Sequence, residues 1–543
     1  MRELRLARER GRHPTLAAFV SVTELIELEQ FGRERKAACV ALAAFAVDPH
    51  FHCRHPEAIT LESHKTAHHS KRPVHGEPKT AIRFCFADGA RSRNVHGVMA
   101  AAFTQRVVFG LDPTWVSLTI LAVTYAAVIA GRHNRAVVAL LGAVAVVILG
   151  ALDQDEAING IDWNTIGLLA GMMIQVAIAR RSGLFQYLAI WSAQRVNASP
   201  PGILVMLQLT TAVVSAFLNN VSTVLLVVPV TLAIVEELDL PPYPFLFAEV
   251  FAANIGGTAT LIGDPPNILI GSLVGLDFDS FIINVAPVAV VVMAAQMAMV
   301  HLVWGRFLRA SPESRALVMG MNAPGMITDP TLLRRSVLVL GLVFAAFVFT
   351  RLLHQQPATI ALAGAAVLML LDNWRRRGSK QTDSVHQTFA EIEWTTIFFF
   401  LGLFVVVHAV EVSGVLKLFA DKMVVATGDS VGKAGALILW ASAALSAIFD
   451  NIPFVATMVP LIKSAAPAYG GPEKILPLWW CLSLGACLGG NGTLTGASAN
   501  LTVAGIAERN GIRFGFISYL AYGVPMTLVS IAICQIYVWL RYL

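Results

Sequence analysis

Charge is scarce in this chain. Only 14 % of its 543 residues are Asp, Glu, Lys or Arg, while 56 % are hydrophobic and the mean hydropathy is +0.65. Soluble domains carry about 25 % charged residues, so a soluble globular fold is excluded and a polytopic membrane protein is implied. A disulfide framework is missing too. Cys481, Cys487 and Cys534 lie in apolar segments and read as small core residues, while Cys39, Cys53 and Cys85 are scattered near the N-terminus. No Gly-rich run ending in Lys-Ser/Thr occurs. A phosphate-cradling loop of that kind is therefore absent, and an ATPase driving this chain would be a separate subunit.

The charge that is present is unevenly placed. Residues 1–98 hold sixteen Lys and Arg against eleven Asp and Glu, which accounts for the whole net charge of +5, and nine of the fourteen histidines. Their "HFHCRH" motif (His50, His52, Cys53, His55) admits a zinc reading. The preferred reading of 1–98 is an Arg/His-rich N-terminal extension without a packed core, expected to be disordered. Met99 opens a short natural lead into the first span, so 1–98 could also lie upstream of the true start. The remaining residues balance in charge, and a lipid bilayer rather than nucleic acid is the expected surrounding. A span takes roughly 20 mostly apolar residues. Stretches that reach or approach this fall at 115–131, 136–152, 164–179, 282–304, 336–350, 395–410 and 515–540.

The chain repeats itself. "IDWNTIGLLAGMMIQVAIARRSGLF" (161–185) aligns without gaps on "IEWTTIFFFLGLFVVVHAVEVSGVL" (392–416), an offset of 231. The same offset carries "LNNVSTVLLVVP" (218–229) onto "FDNIPFVATMVP" (449–460). Two residues of slippage later, "GGTATLIGDPPN" (256–267) meets "GGNGTLTGASAN" (489–500). Shared apolar composition explains matching Leu and Val but not matching Gly, Asn, Trp and Pro. Cytoplasmic loops are enriched in Lys and Arg. That rule places 131–135, 179–183, 306–335 and 372–380 inside and the acidic 153–156 outside, so the two copies run in opposite directions. The expected fold is an all-α polytopic membrane protein with two inverted-topology repeats, each of about five spans with a re-entrant hairpin and a broken helix. Residues 110–305 form the first repeat, 306–335 a cytoplasmic linker, and 336–543 the second. Secondary transporters are built in this way, with the site where the repeats meet.

Two irregular features recur in each copy. The first is an apolar stretch interrupted by a polar tip, Asn219–Asn220 in one and Asp450–Asn451 in the other. The arms near 203–217 and 222–235 look too short to cross alone, which suggests re-entrant hairpins. The second is a helix break. Pro265 and Pro266 lack N–H donors, and Gly256, Gly257 and Gly263 are expected to permit unwound backbone. A broken helix offers carbonyls to a cation at one half-end and N–H groups to an anion at the other. Intramembrane carboxylates are costly and usually functional, which singles out Asp264 and Asp450. The candidate ion- and substrate-binding residues are Asn219, Asn220, Ser222, Thr223, Thr258, Thr260, Gly263, Asp264 and Asn267 in the first copy. In the second they are Asp450, Asn451, Asn491, Thr493, Thr495, Ser498 and Asn500. Capping of local turns is the structural alternative for the aspartates and asparagines.

With "GGTATLIGDPPNILIGS" and "FLNNVSTVLLVVPV" in view, residues of about 110–540 resemble the ion transporter superfamily. The likeness is to the branch of arsenite permeases, NhaD-type antiporters and P protein, with its citrate-transporter-like domain. Members resemble the sodium–dicarboxylate symporters in fold, which implies paired hairpins and breaks around the site, a homodimer, and elevator-like motion. Those symporters place Ser-Asn-Thr at both tips, where this chain has Asn-Asn-Val and Asp-Asn-Ile. That departure, with no arginine cluster evident nearby to clamp a polyanion, argues against di- or tricarboxylate transport.

The expected function is therefore secondary active transport, not catalysis. Arsenite or antimonite efflux coupled to H⁺ or Na⁺ stands first and Na⁺/H⁺ antiport second, with no cofactor beyond the coupling ion. An organic-anion carrier is a remoter alternative, as is an intramembrane aspartyl protease suggested by Gly263-Asp264 and Phe449-Asp450. The protease order is reversed, however, and no Pro-Ala-Leu motif follows. Ala/Val/Arg-rich usage suggests a GC-rich bacterium and hence the cytoplasmic (inner) membrane.

Overall fold

The computed structural model describes Val107, residues 110–428 and residues 430–542. The expectations for residues 1–98, including the histidine motif, lie outside the described residues. Within them the chain is helical without strands. Nine helices are long and apolar enough to cross a membrane, or up to eleven if two sharply bent pairs each count as one span. This is a multi-pass membrane protein.

Caps written into the sequence set many of the helix starts. Helix α1 (Pro113–Ala130) opens on proline behind Asp112, whose carboxylate accepts the Thr114 N–H. It ends at Gly131, at φ 63°. Helix α2 (Arg135–Ile148) is capped by Asn134, and α3 (Trp163–Arg180) by Asp162. Helices α4 (Pro200–Phe217) and α5 (Asn220–Glu237) form the first hairpin. Then come α6 (Tyr243–Thr258) and α7 (Pro265–Val274), the halves of the first broken helix. The second copy supplies α8 (Pro357–Asn373), α9 (Trp394–Val412), the hairpin α10 (Val431–Ile448) and α11 (Asn451–Ala465), and the broken pair α12 (Leu476–Gly489) and α13 (Ser498–Arg509).

The structure corrects three expectations about these elements. The arms of the first hairpin are 18 residues each, about 27 Å at 1.5 Å per residue, and so longer than the sequence suggested. The chain between the repeats is not all linker: it holds a helix, Pro312–Gly320, and the next span starts at Pro330 behind its Asp329 cap rather than at 336. Gly256 and Gly257 lie inside helix α6, not in unwound backbone.

Each copy's Trp-led helix packs on a helix from the other half of the chain. A Cβ on Gly171 of α3 would lie 2.7 Å from the Ala361 backbone of α8, and one on Gly402 of α9 would lie 2.4 Å from the Ala139 backbone of α2. Gln175 ties the first pair further by donating to the Ala361 carbonyl at 3.0 Å. This exchange frames the two hairpins and two broken helices, whose tips turn toward a common centre.

Candidate functional site

The two breaks are held open by the same side chains in both copies. In the first, the Asn267 amide donates to the Thr258 and Thr260 carbonyls, both at 2.9 Å. The Thr260 hydroxyl reaches across to the Ala216 carbonyl on the hairpin at 2.6 Å and accepts the Gly263 N–H at 3.1 Å. In the second, the Asn500 amide donates to the Gly490 and Thr493 carbonyls, both at 2.9 Å. The Thr493 hydroxyl donates to the Ala447 carbonyl, the counterpart of Ala216. Buried backbone acceptors freed by a broken helix need partners, and these amides and hydroxyls provide them.

Several expected ligand residues therefore face the backbone instead of open space. Thr223 donates to the Asn219 carbonyl at 3.0 Å, and Thr258 to the Asn254 carbonyl at 2.7 Å. Thr260, Asn267, Thr493 and Asn500 clamp the breaks, and Gly263 packs against the Gly257 backbone. Ser222 lies in a neighbouring recess with Arg180 and Glu391. Thr495 is exposed, on an outer cleft. Asn491 is buried and accepts the Asn254 amide at 2.8 Å.

Asn219, Asn220, Asp264, Asn451 and Ser498 do converge, around a small cavity between the copies. The Asn220 amide donates to Asn254 Oδ1 at 3.0 Å and to Asp264 Oδ1 at 3.3 Å. The Asn254 amide in turn also donates to Asn500 Oδ1 at 2.9 Å. One amide chain thus runs from the first hairpin tip to the second break. Asp264 is 1 % exposed, and its Oδ2 has no hydrogen-bond partner. The sequence reading passed over Asn254, although an amide inside the apolar run "FAANIGG" was a usable signal. Its counterpart is Cys487, which with Ser483 donates to Asn267 Oδ1, at 3.5 and 2.6 Å.

The sequence reading also assigned Arg135 to a basic loop. It is the first residue of α2, and it enters the site. Its Nη1 meets Asp450 Oδ2 at 2.7 Å and Ser498 Oγ at 2.9 Å, and its Nη2 donates to Thr396 Oγ1 at 3.1 Å. The guanidinium lies 5.3 Å from the Phe399 ring centroid, within cation–π range. Glu393, just before α9, lines the same cavity. Arg135 and Ser498 also line the outer cleft, so their side chains stand between cleft and cavity. A further carboxylate, Glu249 of α6, is fully buried and accepts the Thr231 hydroxyl. Among the described residues no group of three or more His, Cys, Asp or Glu could hold a metal ion.

Comparison with known proteins places this arrangement in context. The family described as "Citrate transporter" matches residues 125–485. An uncharacterized transporter of Mycobacterium tuberculosis is 42 % identical over 431 residues, 79 % of this chain and 98 % of that protein. The P protein of Homo sapiens is 33 % identical over 509 residues, 78 % of this chain and 59 % of that protein. The crystal structure of the Alcanivorax borkumensis YdaH transporter aligns with a TM-score of 0.50 at 13 % identity, over 79 % of this chain and 98 % of that one, a likeness of fold alone.

Proposed function

The chain belongs to the citrate transporter family, and from that premise we propose that it is a secondary active transporter working by alternating access and coupled to H⁺ or Na⁺. The observation that carries this reading is Asp264, a carboxylate buried between hairpin and break with one oxygen unpartnered. An isolated charge in that setting is costly, and binding a proton or a sodium ion relieves it. Amides and hydroxyls beside it suit a small oxygen-bearing solute, arsenite or antimonite first. Na⁺/H⁺ exchange is the second reading, because the free Asp264 oxygen alone provides for two competing cations. The repeats are inverted, the carrier is a homodimer of the cytoplasmic membrane, and it needs no cofactor beyond its coupling ion.

The test uses everted membrane vesicles with an imposed proton gradient and a pH-sensitive dye. Sodium, lithium and arsenite are added in turn, with Asp264→Asn as the comparison. Proton movement on one addition, lost in the variant, is the expected result. Asn220→Ala and Asn451→Ala should abolish transport while the protein still inserts. Near-normal flux in all three variants would remove the site assignment.

A further inference from the structure

We propose that Arg135 is the residue that receives an anionic group of the transported solute, and that Asp450 is a tethered stand-in occupying it between cycles. This rests on the cavity being the transport site and narrows that reading to a solute with an ionised oxyanion group, a carboxylate or a tetrahedral oxyanion, which arsenite, uncharged at neutral pH, does not present.

Three observations support it. The first is position: Arg135 and Ser498 stand where the outer cleft meets the inner cavity, so a solute entering from the cleft meets the guanidinium first. The second is geometry. A guanidinium fork matches an oxyanion with two parallel bonds, yet here only Nη1 reaches the carboxylate, while Nη2 is spent on the neutral Thr396 hydroxyl. An incoming oxyanion can take both. The third comes from the repeat. Asp450 caps α11 by accepting the Ile452 N–H at 3.3 Å. Its counterpart Asn219 caps α5 by accepting the Ser222 N–H at 2.6 Å, without a charge. Capping therefore requires no carboxylate at this position, and the charge of Asp450 is accounted for by Arg135.

In the exchange the arriving oxyanion takes the place of the Asp450 carboxylate on the guanidinium, and Arg135 keeps its charge throughout. The other charged or titratable groups around the pair are Glu393 and Asp264 on the cavity side and His133 and Tyr125 on the cleft side.

Equilibrium binding to the purified full-length protein tests this, with citrate, sulfate and arsenite as probes at neutral pH. Asp450→Asn keeps the cap and frees the guanidinium, so it should bind citrate or sulfate about tenfold tighter than the wild type. Because a misfolded protein does not gain affinity, this outcome is informative even if Arg135→Gln folds poorly. Arg135→Gln should bind neither anion. A gain for citrate alone assigns a carboxylate site, and a gain for sulfate alone a tetrahedral oxyanion site. Unchanged anion binding in Asp450→Asn, or wild-type binding in Arg135→Gln, overturns the proposal. So does binding of arsenite only, unaffected by Arg135→Gln, although the transport reading then stands. Loss of flux in Asp264→Asn bears on transport and not on this exchange.

Discussion

The Asn254 amide donates to Asn491 and Asn500 and accepts from Asn220, so one side chain joins the first hairpin to the second break. Replacing it with Ala leaves the buried side-chain oxygens of Asn491 and Asn500 without that donor, while the Asn220 amide keeps Asp264. Each buried group left unsatisfied costs about 1–3 kcal/mol. Asn254→Ala should therefore lower the thermal midpoint of the purified protein by several degrees and reduce flux at least about tenfold, which unfolding scans and vesicle uptake would show. Asn267→Ala tests a different role. It removes the two bonds that hold the Thr258 and Thr260 carbonyls without removing a group that lines the cavity. The expected effect is a stability loss of about 1–3 kcal/mol; wild-type thermal stability would show that water replaces the amide.

At the scale of elements, Gly256 and Gly257 were legible as special positions but for the wrong reason, whereas Gly263 does lie in the unwound stretch between α6 and α7. Gly256 has helical backbone, and what it provides is close approach: a Cβ there would lie 2.2 Å from the Ala212 carbonyl oxygen. Sequence cannot distinguish a glycine needed for unwinding from one needed for packing, because the second depends on a helix more than forty residues away. Gly256→Ala should destabilise by about 1–3 kcal/mol, as overpacking does. Gly505 in α13 is the control, since a Cβ there meets nothing within 4 Å. Gly505→Ala should be neutral or stabilising by up to about 1 kcal/mol. Equal thermal shifts for the two variants would refute the packing argument. The proline-led first break and the polar hairpin tips, by contrast, were legible because proline and capping side chains act locally.

For the whole molecule, the helical, multi-span class could be read from the scarcity of charge and the long apolar runs. Contacts between the halves could not. Arg135 meets Asp450 across 315 positions and Asn254 meets Asn500 across 246, and loop-charge counting placed Arg135 outside the site. The assembled structure is also unequal between the copies. On the first-copy side, the Asn164 amide of α3 donates to Ser272 of α7 at 2.8 Å, and its oxygen accepts the Ala358 N–H of α8 at 3.1 Å. The position matching Ser272 in the second copy is Gly505, which touches nothing comparable, and next to it an open cleft separates Leu501 from Tyr125 and Val128. Under the proposed alternating access, this inequality reverses during each cycle: the Asn164–Ser272 contact parts as the cleft closes. Cysteines at 164 and 272, in a protein whose native cysteines are replaced, should cross-link on oxidation because the two side chains already touch. If α7 travels past α3, the cross-linked carrier stops and reductant restores flux. Undiminished transport in a fully cross-linked sample would mean that these helices move as one body and that access alternates elsewhere.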